Sequence, residues 1–317
     1  MTDQLADQAT ILRQVRLALQ NENYKDAIHG LKQAAAMARS AGDPATEGRH
    51  LGNLALIYYR IGRHEQALQY FQHALSIARA EGDRLTEDGI LGNMGNILRE
   101  MKRLDEAIEY LNQALLIAQE IGDMRGRGIW LSNLGLVYDD LQRLVEAIDV
   151  HRESVAVART MRDQRGLASR LGNLGNSYLA ANESAEALKC FHEVVAVYKV
   201  LGEKNEAALR MGIIGNIYSD LGRNAPSDFE ARFYYDLARD AYKDTLVMAQ
   251  EIGDRVAEGD LLICLGNVYG NMGDLDGAIR EFGAARTIFA ELNQAERLEY
   301  ANNNLKLAND LRAQQRR

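Results

Sequence analysis

Proline is almost missing from this chain of 317 residues, which holds only Pro44 and Pro226. A proline inside a helix costs about 3 kcal/mol, so its scarcity leaves long helices uninterrupted. Cysteine is as rare. Cys190 and Cys264 lie 74 positions apart without metal-ligand or redox spacing, which excludes a disulfide framework and leaves two buried thiols as the expectation. No apolar run approaches the roughly 20 residues that span a bilayer, and the start MTDQLADQAT lacks the basic and apolar regions of a signal peptide. A cytoplasmic protein without membrane insertion is expected. Basic residues are outnumbered, 37 Lys and Arg against 45 Asp and Glu, for a formal net charge of -8. Nucleic-acid backbones demand clustered positive charge, so that class of partner is excluded.

Catalytic constellations are absent too. The six histidines show no i, i+4 pair of the zinc-protease kind, and residues 125–128 offer a lone G-x-G that cannot cradle a phosphate. No cofactor, metal or catalytic residue is assigned, and the chain is read as a non-enzyme.

What is present is repetition. The run LGNLALIYYRIGRHEQALQYFQHALSIARAEGD from Leu51 returns from Leu91 as LGNMGNILREMKRLDEAIEYLNQALLIAQEIGD, and again from Leu131 and Leu171. A fixed period of 40 residues means stacked units rather than one globular core. Within the third unit, Leu91, Met94 and Leu98, then Ala107, Tyr110, Leu111, Ala114 and Leu115, fall at helical spacing on either side of a polar turn at Lys102 and Arg103. Each unit is therefore a helical hairpin. The joints Gly42-Asp43, Gly82-Asp83, Gly122-Asp123 and Gly253-Asp254 suit a left-handed residue followed by an aspartate that caps the next helix.

Gly95, Gly135, Gly175, Gly215 and Gly266 recur in first helices, with Ala107, Ala147, Ala187, Ala238 and Ala278 in second helices. An interior glycine costs up to about 1 kcal/mol, so its return at one register implies close packing. With the aromatics Tyr138, Tyr178, Tyr218 and Tyr269 three positions after a glycine, and Phe71, Phe191 and Phe282 four beyond an alanine, the pattern resembles the tetratricopeptide repeat signature. It departs from it in the 40-residue unit and the missing closing proline. Those departures, the LGN run and the Gly-Asp joint resemble the long-repeat subclass of Partner-of-Inscuteable-type G-protein-signalling adaptors and of many bacterial repeat proteins.

The resemblance implies an all-α, right-handed superhelical solenoid whose first helices line a concave groove for an extended peptide. One solenoid over 1–317 is expected, with hairpins at 4–42, 43–82, 83–122, 123–162, 163–202, 203–253 and 254–293, then a capping helix and tail at 294–317. The first unit is degenerate, with Val15 in place of the glycine, as befits a terminal repeat. The sixth is longer by 11 residues, and Ser227 with Glu230 forms an S-x-x-E capping box that predicts a lengthened second helix. Phe229, Phe233, Tyr234 and Tyr235 crowd the added turns. They either pack on the neighbouring helix or form a second interface.

Asparagines recur without an evident packing need. Asn53, Asn93, Asn133 and Asn173 hold one register, and Asn96, Asn176, Asn216 and Asn267 another. Spacings of three and four put both on one helix face. Each amide can donate and accept, so the ladder either holds a peptide backbone or bonds neighbouring helices. Arg13, Arg16, Arg49, Arg60 and Arg99 mark that face toward the amino end and imply a partner with an acidic stretch; Glu100, Asp140, Asp220 and Asp260 follow. Trp130 either edges the groove or is buried in the stack. The functional expectation is an adaptor that binds an extended peptide segment of a partner protein. Homo-oligomeric self-assembly and a peptide or small-molecule sensor are the alternatives.

Overall fold

At the joints the chain leaves a helix through a left-handed residue and enters the next beneath an aspartate. Gly82, Gly122 and Gly253 take φ of 68°, 73° and 80°, and Asp83, Asp123 and Asp254 accept the amides of Thr86, Arg125 and Ala257 at 3.0, 3.0 and 2.9 Å. Glycine reaches that φ without a Cβ penalty, while the carboxylate satisfies an amide that the helix leaves open. Short, capped joints thus set the helix boundaries.

The computed structural model describes residues 2–316, and among them fifteen α-helices account for the regular structure. The chain divides into two compact units, residues 1–162 and 163–317. The first holds α1 (Thr2–Gln20), α2 (Tyr24–Ser40), α3 (Pro44–Arg60), α4 (His64–Glu81), α5 (Arg84–Glu100), α6 (Leu104–Ile121), α7 (Met124–Asp140) and α8 (Leu144–Met161). These pair as four hairpins, and α2, α4 and α6 each pack on the first helix of the following hairpin as well. The second unit holds α9 (Gln164–Ala180), α10 (Ser184–Leu201), α11 (Lys204–Arg223), α12 (Asp228–Ile252), α13 (Arg255–Asn271), α14 (Leu275–Glu291) and α15 (Ala295–Gln315). There α15 packs on α14 as an unpaired last helix.

The recurring glycines face large residues of their partner helix. An ideal Cβ on Gly95 would lie 2.6 Å from Leu111 Cγ, and one on Gly135 would lie 2.4 Å from the His151 ring. In the second unit Gly175, Gly215 and Gly266 stand over Phe191, Tyr242 and Phe282 at 3.0, 2.6 and 2.5 Å. At 2.6 Å and below a methyl group would displace its neighbour, and over Gly175 the Phe191 ring would have to give by a few tenths of an ångström. In α1 and α2 the small residue has changed helices, for Val15 fills the space above Gly30, at 2.6 Å from where its Cβ would be. Fully buried Leu54, Phe71, Leu91, Met94, Leu98 and Leu111 run through the first unit as its core.

The eleven extra residues are shared. Helix α11 has 20 residues where the other regular first helices have 17, α12 has 25 where α10 has 18, and one residue is left for the turn. Ser227 caps α12 by accepting the Glu230 amide at 3.2 Å. On α15, Ala301 and Ala308 are buried and Leu298 and Leu305 pack on the core, while Leu311 stays exposed.

Candidate functional site

All eight ladder asparagines lie on first helices, from Asn53 on α3 to Asn267 on α13. Their surroundings differ. In the first unit Asn93 Nδ2 donates to the Gly89 carbonyl of its own helix at 2.8 Å. Asn96 Nδ2 donates to the Tyr59 hydroxyl at 3.1 Å, and that hydroxyl donates to Glu100. Burial, and then Glu100, push the Tyr59 phenol up to about 12. Asn96 is thus half of a polar tie between α3 and α5. Asn53 is exposed, and Asn133 on α7 is half-buried.

Two arginines of this face, Arg99 and Arg49, have side-chain partners. Arg99 Nε donates to Asp140 at 3.0 Å, joining α5 to α7, and Arg49 Nη2 donates to Thr46 in its own first turn at 2.8 Å. Arg99 and Asp140, read from the sequence as separate charges of opposite sign, neutralise one another.

Trp130 is buried, with 7% of its surface exposed, and its indole N–H donates to Asp88 Oδ1 at 2.8 Å. Of the two sequence readings, burial in the stack is the one realised. Asp88 is 1% exposed, and burial raises its carboxyl to about 6; the nearby Asp123 carboxylate adds to the rise, and the indole N–H works against it. Both carboxylates converge over Gly126, whose ideal Cβ would lie 2.3 Å from Asp123 Oδ2 and 2.8 Å from Asp88 Oδ2.

In the second unit Asn173 is half-buried, and its carbonyl accepts the Ser177 hydroxyl at 3.2 Å. Asn176, Asn216 and Asn267 are exposed. Tyr242 rises from α12 beneath Asn216 and donates to Asn216 Oδ1 at 2.7 Å, which leaves the amide Nδ2 as a donor. Burial raises the Tyr242 phenol further from ionisation, and raises the Cys264 thiol too. Asn216 and Asn267 share a cleft of about 490 Å³ with Ser219, Asp220 and Arg223. A second cleft of about 490 Å³ adjoins it, for Asn216, Tyr242 and Cys264 line both. Its walls are Ala208, Leu209 and Gly212 of α11 and Ala257 and Leu261 of α13, over Thr245 and Ala249 of α12. The sequence reading missed this cleft, whose small residues come from three helices and share no spacing.

The aromatic cluster of α12 divides. Phe229 and Phe233 are 83% and 55% exposed, and the Phe233 ring meets Tyr234 edge-on at 5.5 Å between centroids. Tyr235 is not part of that surface. It is 7% exposed and fits over Gly222, because successive residues turn about 100° around a helix and carry it to the core side.

Among the described residues no cluster of three or more potential metal ligands occurs, and no helix is long and apolar enough to cross a membrane. Tetratricopeptide repeat models match residues 7–80, 87–160 and 167–202. These segments make up more than half of the chain, and the protein belongs to the tetratricopeptide repeat family, whose stacked hairpins serve as protein-interaction scaffolds. No curated protein matches it. Among solved structures, the apo form of RapI is similar with a TM-score of 0.61 at 14% identity, over 91% of this chain and 99% of that one. The C-terminal part of a tetratricopeptide repeat protein from Cytophaga hutchinsonii gives 0.64 at 16%, over 92% and 98%. A signal transduction ATPase with a tetratricopeptide repeat sensor, from Pyrococcus horikoshii, gives 0.66 at 15%, over 96% of this chain and 50% of that one. At such identities the likeness concerns the fold.

Proposed function

We propose that the protein is a cytoplasmic, non-enzymatic adaptor whose ladder face holds an extended peptide segment of a partner, in the manner of the Partner-of-Inscuteable-type long repeats. The observation that carries this reading is the pair of adjoining clefts in the second unit, where exposed Asn216 and Asn267 stand at the lining. An extended strand rises about 3.3 Å per residue, so one carbonyl or amide in every few residues meets a ladder amide. In the first unit the exposed Arg13, Arg16, Arg49 and Arg60 favour an acidic stretch of the partner, without Arg99, which Asp140 already holds.

Asparagines that tie helices together are poor probes of this idea, and exposed ones are good probes. Peptides selected from a random phage-displayed library against the full chain should bind at least about tenfold more weakly, a loss of roughly 1.4 kcal/mol, to the combined variant Asn53→Ala, Asn176→Ala, Asn267→Ala. Its melting temperature should be unchanged or higher, since alanine favours the helix. Undiminished binding, or failure to select any peptide, would reject the ladder as a binding surface.

A second reading, self-assembly through Phe229 and Phe233, is favoured by their exposure on adjacent turns of α12. Light scattering that returns the monomer mass at high concentration would eliminate it.

A further inference from the structure

The first unit contains its own template for what the second unit can bind. Gly92 on α5 is covered by the indole of Trp130 from α7, and an ideal Cβ on Gly92 would lie 2.4 Å from that ring. Trp130 follows Gly92 by 38 residues; Leu261 follows Gly212 by 49, the same interval plus the eleven inserted ones. By the same count Ala208 stands where Asp88 does, and Ala257 where Gly126 does. A tryptophan and its carboxylate partner in the first unit are thus replaced by leucine and alanine in the second.

The consequence is the cleft already described. Leu261 is buried but does not cover Gly212, whose ideal Cβ would meet nothing nearer than Thr245 Cγ2 at 3.9 Å. Space of about 490 Å³ lies there, with Ala208, Gly212, Ala249 and Leu261 as apolar walls. That volume lies within the usual range for sites that hold a small organic group. Leu209, on the α11 wall, is 57% exposed.

Charge selects among apolar occupants. Glu206, Asp254 and Asp260 line this cleft together with no basic residue. Arg210 approaches Glu206 at 4.0 Å, and Arg297 donates to Asp260 at 3.0 Å, but neither belongs to the lining. Asp254 gives one oxygen to the Ala257 amide, as the cap of α13. A cationic group beside the apolar one meets these carboxylates, and an anionic group is repelled.

We propose that the cleft between α11 and α13 receives a bulky apolar side chain, best an indole, from a peptide that carries a positive charge beside it. The proposal rests on the peptide-binding reading above and assigns that reading an anchor position. Asn216 Nδ2 then lies at the edge of the anchor site, available to the peptide backbone on either side.

L-Tryptophanamide, an indole with an ammonium group, is the probe, followed by ligand-observed NMR on the full chain. Saturable binding in the millimolar range is expected, with N-acetyltryptophan, its anionic counterpart, about fivefold weaker. Leu261→Trp fills the cleft from α13 as Trp130 fills its own, and Gly212→Leu fills it from α11. Each should abolish binding with melting unchanged or raised, and Gly212→Leu carries the test alone should Leu261→Trp misfold. No saturation by tryptophanamide, equal binding of the two probes, or binding unaffected in both variants overturns the proposal. Selected peptides that need the asparagines yet ignore both cleft variants would leave the ladder reading standing and remove this anchor. Tryptophanamide binding lost in the cleft variants, with no peptide selected, would do the reverse.

Discussion

Replacing Asp88 by asparagine keeps the shape of the buried cluster beneath Trp130 and removes its ionisable group. The carboxamide oxygen can still accept the indole N–H, now 2.8 Å from Asp88 Oδ1, and its Nδ2 can donate to the Asp123 carboxylate across Gly126. In the native protein the Asp88 carboxyl titrates at about 6, against an ordinary 3.8. Between those values the folded state holds a proton that the unfolded chain releases, so this group makes stability fall as pH rises from about 4 to about 6. The whole contribution is on the order of 3 kcal/mol. Asp88→Asn should therefore stabilise the first unit by up to about 3 kcal/mol at pH 7.5, a rise of roughly 6–12 °C in Tm for a unit of this size, and by little near pH 4. Urea unfolding followed by circular dichroism at several pH values measures this. The difference between native and variant is what counts, because Asp43 and Asp83, whose carboxyls are lowered by hydrogen bonds from Thr46 and Thr86, give the opposite slope. Asp88→Leu is the contrast, since it strands a buried indole N–H at a cost of about 1–3 kcal/mol. A variant Asp88→Asn less stable than native at pH 7.5, or a difference that does not change with pH, would refute the reasoning.

Other substitutions test the packing of single positions. Arg162 takes a left-handed φ of 55° at the joint where Gly82, Gly122 and Gly253 serve elsewhere, so Arg162→Gly should stabilise by about 1 kcal/mol in thermal melts. Gly52 has open space around its missing Cβ while Gly95 has Leu111 at 2.6 Å. Gly52→Ala should therefore gain up to about 1 kcal/mol and Gly95→Ala should lose about 1–3 kcal/mol, a difference of sign that denaturant midpoints reveal. Ser227→Ala removes the cap of α12 and should cost about 1 kcal/mol. Hydrogen exchange should show that loss as faster opening of the first turns of α12, with the α9 and α10 amides unaffected.

Much of the helical architecture was legible because its causes are local. The Gly-Asp joints announce a left-handed exit and a capped entry within two residues, and Ser227 with Glu230 announces the capped entry of α12. The recurring glycines were legible as close contacts, although their partners Leu111, Tyr242 and Phe282 appear only in the folded chain. The eleven-residue insertion was expected to lengthen one helix, yet α11 takes three of the residues, because Gly222 there accepts the Tyr235 ring. Residue type identified the asparagine ladder, but not that half-buried Asn96 and exposed Asn216 bond tyrosines while Asn53, Asn176 and Asn267 are exposed on their own helices.

By itself, then, the sequence determined the period, the hairpins, their joints and the helix face on which the asparagines stand. These follow from the turn of the α-helix and from hydrogen bonds that span three or four residues, which every unit repeats. Only the tertiary structure decided that Trp130 is buried on Asp88 while the matching place beside Gly212 is an open cleft. That difference depends on side chains from three helices, dozens of residues apart in sequence, filling or failing to fill one shared volume.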